Sequence, residues 1–96
     1  MRFTTEHHQD ATRGGFRLLA DGEPVGEMTY SRAGDDQIIV DHTETDPSIS
    51  GQGGGKVLFR AMVAWARENG VKVHATCPFA LAMFERDESS RDVFAG

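Results

Sequence analysis

The sequence has a single cysteine, Cys77, and no apolar run near the roughly 20 residues that a membrane-crossing helix needs. One cysteine rules out an internal disulfide, and the missing run rules out a transmembrane helix. Positive charge is also scarce: ten Lys and Arg stand against fifteen Asp and Glu, for a formal charge of −5. Nucleic-acid binders normally present a basic surface, so nucleic acid is not the expected partner. The opening residues, Met1 to His8, have no apolar core and do not read as a signal peptide. With no export signal and no disulfide, the expected compartment is the cytoplasm. The chain is also short. A chain of 96 residues buries roughly 60–65% of its unfolded surface, enough for one modest core. Residues 1–96 are therefore expected to form one domain, with a weakly ordered start over 1–12. Hydrophobic residues at 39% and charged residues at 26% fit a soluble globular chain.

Glycine, by contrast, is concentrated. Of 11 glycines, four fall within five positions: Gly51, Gly53, Gly54 and Gly55. The elements around them can be read from periodicity. A short strand is possible at 2–6. Phe16, Leu18 and Ala20 alternate with Arg17 and Leu19, and Asp21-Gly22 signals a turn. Val25, Met28 and Tyr30 mark a second strand. Ile38, Val40 and His42 are predicted to share one face of a third, with Ile39 and Asp41 on the other. Short turns make these an antiparallel meander. Beyond the glycines, Val57, Leu58, Ala61, Met62 and Trp65 recur at helical spacing, and Asn69-Gly70 stops the helix. Residues 71–76 form a compact strand ended by Cys77-Pro78, and a second helix is predicted from about Phe79 to Arg86. The charge run from Glu85 to Asp92 reads as a solvated face, with Val93 and Phe94 able to dock the tail.

Strand, helix, strand is a crossover unit, so residues 37–43 and 71–76 are expected to run parallel. The glycine loop and Cys77 then lie at the same, C-terminal end of the sheet, where open α/β sheets bind ligands. A helix N-terminus carries unpaired N–H groups and partial positive charge, and glycines before it let backbone approach a phosphate. Ser50 to Lys56 suits that role, with Lys56 and Arg60 one helical turn apart. Two phosphate motifs are excluded. A Walker A loop needs Ser or Thr after Gly-Lys, and Val57 follows Gly55-Lys56. A dinucleotide fingerprint starting at Gly51 and Gly53 needs a third glycine where Lys56 stands.

Ser50-Gly51-Gln52-Gly53-Gly54-Gly55 resembles the coenzyme A pyrophosphate loop of the GNAT superfamily of N-acetyltransferases, written Arg/Gln-x-x-Gly-x-Gly/Ala. Val40-Asp41-His42-Thr43-Glu44 before it and Cys77-Pro78-Phe79 after it resemble the short, single-domain YjdJ-type branch. The resemblance spans roughly residues 14–94. It implies a compact α+β fold of the α/β kind: an antiparallel meander, a parallel β-α-β crossover and a C-terminal helix. It further implies acetyl-CoA as donor and an amine, small or on a protein, as acceptor. Gln52, Gly53, Gly55 and Lys56 are the implied pyrophosphate contacts, with Gly51 easing the turn. His42, Thr43 and Glu44 are implied to flank the thioester end of the pantetheine arm. The motif has two departures here. Ser50 replaces a long polar residue, and Gly54 replaces an aliphatic one, which predicts a more mobile loop and weaker CoA binding.

Acyl transfer from a thioester to an amine needs a neutral amine, a donor for the developing oxyanion and a proton for the leaving thiolate. Larger members use a tyrosine acid on the helix after the second parallel strand, and residues 79–86 contain none. Cys77 is the alternative, as nucleophile or as proton donor; a buried cysteine acting as a small hydrophobe is the plain reading. His42 and Glu44 are two apart on one strand and could act together as a base. His7 and His8 point opposite ways on a strand, so no metal site is expected there. The acceptor surface is expected to be open, or completed by a partner or a second copy as a homodimer. The acidity of the chain suits a cationic acceptor. The alternative function is a non-catalytic CoA-binding sensor or interaction module.

Overall fold

A computed structural model of the chain describes residues 2–95; Met1 and Gly96 lie outside the described residues. Five strands form one sheet in chain order: β1 (Phe3–Gln9), β2 (Arg13–Ala20), β3 (Glu23–Arg32), β4 (Gln37–Thr45) and β5 (Lys72–Ala75). The first four are antiparallel neighbours, and β5 joins β4 in parallel. Helix α1 (Gly54–Asn69) makes the crossover, and α2 (Pro78–Arg86) follows β5. No described helix is long and apolar enough to cross a membrane.

The alternation in the sequence becomes one core face. Phe16, Leu18, Met28, Tyr30, Ile38, Val40 and Val73 are buried on it. Against them α1 sets Leu58, Phe59, Met62 and Ala66; Leu58, Met62 and Ala66 recur every four residues, and Phe59 lies three before Met62, which is the spacing of one helical face. Phe84 of α2 meets Phe59 edge-on at 4.8 Å, so both helices share this core. The opposite sheet face carries polar side chains and no helix among the described residues. It presents Glu6 with Arg17 and Arg13 with Asp41 as ion pairs, and His8 Nε2 lies 3.0 Å from Glu27 Oε2.

Three expectations need correction. The start of the chain is not weakly ordered: β1 pairs with β2 over seven residues, and the meander has four strands rather than three. Its apolar pattern is faint because a histidine fills a core position. The His7 ring stacks on Phe16 at 4.4 Å, and its Nε2 lies 2.6 Å from the Tyr30 hydroxyl. Second, His42 does not share a face with Ile38 and Val40. A β-bulge intervenes, because Thr29 pairs with His42 while the next residue, Tyr30, pairs with Val40. Asp41 is the extra residue, and a bulge shifts the alternation by one. His42 therefore joins the solvent face, and Thr43 takes the core-facing position opposite Met28. Third, the 85–92 charge run is not wholly solvated. Arg67 grips Asp92 at 2.7 and 2.8 Å, and Val73 exchanges backbone hydrogen bonds with Val93 and Ala95. Phe94 stacks on Phe84 at 4.4 Å, so the tail docks beside β5.

Candidate functional site: a split between two parallel strands beside a glycine loop

β5 pairs with β4 only as far as Val40. There the Val40 carbonyl accepts the N–H groups of both Thr76, at 3.0 Å, and Cys77, at 3.1 Å. β4 then continues to Thr45 with no strand on that side among the described residues, while the chain after β5 turns into α2. The result is a wedge. Residues 41–45 of β4 form one wall, with backbone groups left open along it. Cys77 and the first turn of α2 form the other. Cys77 occupies the N-cap position of α2, and Pro78 follows where a helix needs no N–H.

Cys77 is 4% exposed, and its thiol donates to Thr43 Oγ1 at 3.4 Å. These two candidates meet inside the wedge. His42 and Glu44 meet each other as well, Nε2 to Oε2 at 3.4 Å, but on the outer face of the strand, with side chains 60% and 70% exposed. The four candidates thus form two pairs on opposite faces of β4. The bulge between them is pinned from outside. Burial pushes the Asp41 carboxyl up, but hydrogen bonds from Thr29 and Arg13, with the Arg13 charge, hold it below the ordinary range. Thr29 Oγ1 donates to it at 2.7 Å.

The loop lies at the mouth of the wedge. Asp46 starts a short turn by accepting the Ser48 N–H at 2.9 Å, and Ile49 plugs into the core. Gly51 and Gly53 then adopt φ of +80° and +81°, the left-handed region that side chains disfavour. Gly53 is the N-cap of α1 and makes no side-chain cap bond. The first amide to bond back into the helix is that of Val57, to the Gly53 carbonyl at 3.2 Å. The N–H groups of Gly54, Gly55 and Lys56 have no acceptor among the described residues, as the first turn of a helix dictates. Gln52 and Lys56 are exposed beside them. These unpaired donors with their partial positive charge fit a pyrophosphate.

Gly54 and Gly55 are small for reasons of space. A Cβ on Gly55 would lie 2.7 Å from the Phe79 ring. A Cβ on Gly54 would lie 2.8 Å from Leu18 Cδ2 and 2.9 Å from Ile49 Cδ1. The expectation of slack at Gly54 is thus corrected: the position is buried, and two neighbouring side chains fill the volume an aliphatic residue would take.

Comparisons with known proteins bear on the family and the fold. A model of the GCN5-related N-acetyl-transferase family matches residues 15–93. The chain belongs to this family. The solution structure of a GCN5-like protein from Staphylococcus aureus aligns at 35% identity and a TM-score of 0.69, over 95% of this chain and 88% of that one. Two longer proteins share the fold. The ribosomal-protein-alanine N-acetyltransferase of Brucella melitensis biovar Abortus 2308 gives a TM-score of 0.68 at 22% identity, over 81% of this chain and 62% of that one. The aminoglycoside acetyltransferase meta-AAC0020, from an uncultured soil metagenomic sample, gives 0.62 at 18% identity, over 83% and 59%. The chain spans about three fifths of the length of these two. A comparison with curated proteins finds no match.

For a GCN5-related acetyltransferase, two site features escape the sequence. Phe79 walls the loop through its contact with Gly55, and Arg13 steadies the bulge through Asp41. Both act across elements, 24 and 28 residues apart in sequence, where no local periodicity operates. A third residue is settled by the fold: Tyr30 is fully buried with its hydroxyl on His7, so it is sealed away from the wedge.

Proposed function

We propose that this chain, a short single-domain member of its family, binds acetyl-CoA in the wedge and transfers the acetyl group to a cationic amine. The observation that carries the reading is the run of unpaired N–H groups from Gly54 to Lys56 at the mouth of a strand split. Those amides and Lys56 hold the donor's pyrophosphate, with Gly51, Gln52 and Gly53 shaping the approach. The open backbone of β4 beside Thr43 takes the pantetheine arm as an added strand would be taken.

The bound donor supplies an activated thioester; the amine nitrogen bonds its carbonyl carbon as the carbon–sulfur bond breaks. Thr43 orients the Cys77 thiol inside the wedge, and Cys77 supplies the proton that the departing sulfur needs. On the outer face, His42 steadied by Glu44 accepts the proton of the amine through an intervening water, since the two pairs lie on opposite faces of β4. The acceptor approaches from the uncovered side of the sheet. Glu27 and Glu44 stand directly opposite each other in register there, and a notch of about 440 Å³ joins them to Asp46. Arg17 borders the same notch, but three carboxylates outnumber it, so the notch favours a cationic acceptor. The two longer structural relatives are named for amine acceptors, a protein alanine and an aminoglycoside, which supports an amine here.

A non-catalytic CoA-binding module remains the second reading, favoured by the near-complete burial of Cys77. Calorimetric titration with CoA, then thiol release from acetyl-CoA with a panel of amines, separates the two. The enzyme reading expects CoA binding by wild type and Cys77→Ala alike. It also expects turnover at least about ten-fold slower in the variant. Binding with no turnover on any amine selects the module, and no binding sinks both.

A further inference from the structure

One outer edge of the sheet is covered and the other is bare. Along β5 lies the tail: the Val73 N–H donates to the Val93 carbonyl at 2.7 Å, and the Ala95 N–H to the Val73 carbonyl at 2.8 Å. Beyond β1 there is no strand among the described residues. β1 runs for seven residues, and its pairing with β2 has no register shift, whereas β2–β3 and β3–β4 each have one. It holds no proline and no lysine, the residues that commonly blunt an edge. Its one carboxylate, Glu6, leans back to Arg17 at 3.7 Å. An edge this regular and unguarded is a template for another strand. Two hydrogen bonds fix which groups it offers. The Asp21 N–H donates to the Arg2 carbonyl at 2.9 Å, and the Asp10 N–H to the Arg13 carbonyl at 2.8 Å. By alternation, Thr4, Glu6 and His8 turn their backbone groups to β2, and Phe3, Thr5, His7 and Gln9 turn theirs outward.

We infer that β1 pairs antiparallel with β1 of a second copy of this chain, about a two-fold axis at Thr5, joining two sheets into one. The residues of β1 select both the occupant and the register. With both cores on the same side of the joined sheet, odd residues must oppose odd ones. A centre at Glu6 would set two carboxylates against each other, and a centre at His7 two imidazoles. A centre at Thr5 sets threonine on threonine, Phe3 on the second copy's His7, and Thr4 on the second copy's Glu6. Arg2 then faces the second copy's His8, whose Nε2 lies 3.0 Å from Glu27 Oε2, so a cation meets a carboxylate. Phe3 is half-buried and His7 is stacked on Phe16, so their contact carries the aromatic cluster across the junction. One strand thus supplies both halves of the match, as a two-fold interface requires. A junction of two strands is small, so the dimer is weak and concentration-dependent. The wedges lie beyond β4, away from the junction, so the pairing stands or falls independently of the acetyl-CoA reading.

Sedimentation equilibrium from about 10 μM to about 1 mM tests it on wild type, Thr5→Pro, Thr4→Glu and Thr4→Lys. Proline at position 5 removes an outward N–H and leaves the ladder to β2 intact, as an edge strand tolerates. Thr4 is exposed, so its variants change only the charge set against the second copy's Glu6. The wild-type mass should rise from 10.5 kDa toward twice that value. Thr5→Pro and Thr4→Glu should each weaken association at least about ten-fold, and Thr4→Lys should tighten it about three-fold or more. Amide exchange gives a second readout. Protection of the Thr5 and His7 amides should grow with wild-type concentration, while the Thr4, Glu6 and His8 amides stay protected in every protein. If Thr5→Pro exposes those three, β1 has left the sheet, and the two Thr4 variants decide. A wild type that stays at 10.5 kDa up to about 1 mM overturns the inference. So does a folded Thr5→Pro that associates like wild type, or a pair of Thr4 variants that shift association in the same direction.

Discussion

The two lateral ends of the sheet, the β1 side and the β5 side, are filled differently. At one end, His7, Phe16, Tyr30 and Trp65 close on one another, with neighbouring ring centroids 4.4 to 6.0 Å apart. At the other, β4 leaves β5, and the space is bounded by glycines, backbone amides and one thiol. Aromatic side chains bring large buried area and hold strands together. Glycine brings none of that and leaves donors free for a ligand. The first end should therefore govern stability with little effect on ligand affinity, and the second should do the reverse.

The harshest way to break this division is Tyr30→Ala. Its side chain is fully buried and its hydroxyl meets His7 at 2.6 Å. Truncation of a large aromatic in a core costs about 3–5 kcal/mol, much of the stability of a domain this size. Urea unfolding should record that loss. Calorimetry on the protein that remains folded should give CoA affinity within about two-fold of wild type. A variant of native stability that binds CoA ten-fold worse would erase the distinction between the ends.

The glycine loop allows a finer comparison, between two neighbours. Gly55→Ala forces a Cβ against the far edge of the half-buried Phe79 ring, which must shift at the wall of the wedge. Overpacking of this kind costs about 1–3 kcal/mol, and CoA affinity should fall about ten-fold as the wedge is displaced. Gly54→Ala meets only the ends of Leu18 and Ile49, which can swing aside. Alanine also gains up to about 1 kcal/mol of helix propensity over glycine, so this change should be close to neutral. Adding Phe79→Leu to Gly55→Ala should restore binding. If the two alanine variants behave alike, the steric account of the loop is wrong.

This contrast also shows what could be read from the sequence. The order of elements, the parallel crossover and the position of the loop follow from apolar periodicity and from the rule that βαβ units cross right-handedly. Sequence resemblance points to both Cys77 and Thr43, and the structure brings their side chains within 3.4 Å. His42 misled because alternation was carried through Asp41, and a bulge leaves no mark in composition when the inserted residue is polar on a polar face. Sequence separates Gly53 and Gly55 as motif positions from Gly51 and Gly54, whereas the fold divides them otherwise: Gly51 and Gly53 are required by dihedral angle, and Gly54 and Gly55 by the neighbouring Leu18, Ile49 and Phe79. The faint pattern of β1 has a related cause. A histidine in the core looks like a polar residue on a loop until its partners are known.

That histidine gives the smallest effect and the one that probes the closed end without truncating it. Burial, then the charges of His8 and Arg32, lower the His7 pKa below its ordinary 6.5. The folded state therefore prefers neutral imidazole, and the unfolded chain binds the proton more readily. By linkage, the unfolded state holds more protons below about pH 6.5, so stability must rise with pH across that window. The contribution of His7 is fully present above about pH 6.5 and is lost as pH falls through the lower folded-state value. Trp65, the only tryptophan, lies 4.6 Å from the imidazole and offers a direct reporter. Its emission should titrate at a midpoint below 6.5, and His7→Gln should abolish that transition. Urea unfolding between about pH 5 and pH 7 should be less pH-dependent in His7→Gln than in wild type. His42 and His74 lie on other strands, so their contributions should cancel in the difference, and a His8→Gln background removes the coupling to His8. An emission midpoint above 6.5 would mean that His7 is charged at rest, and that the closed end is held by an ion–aromatic contact instead of by neutral stacking.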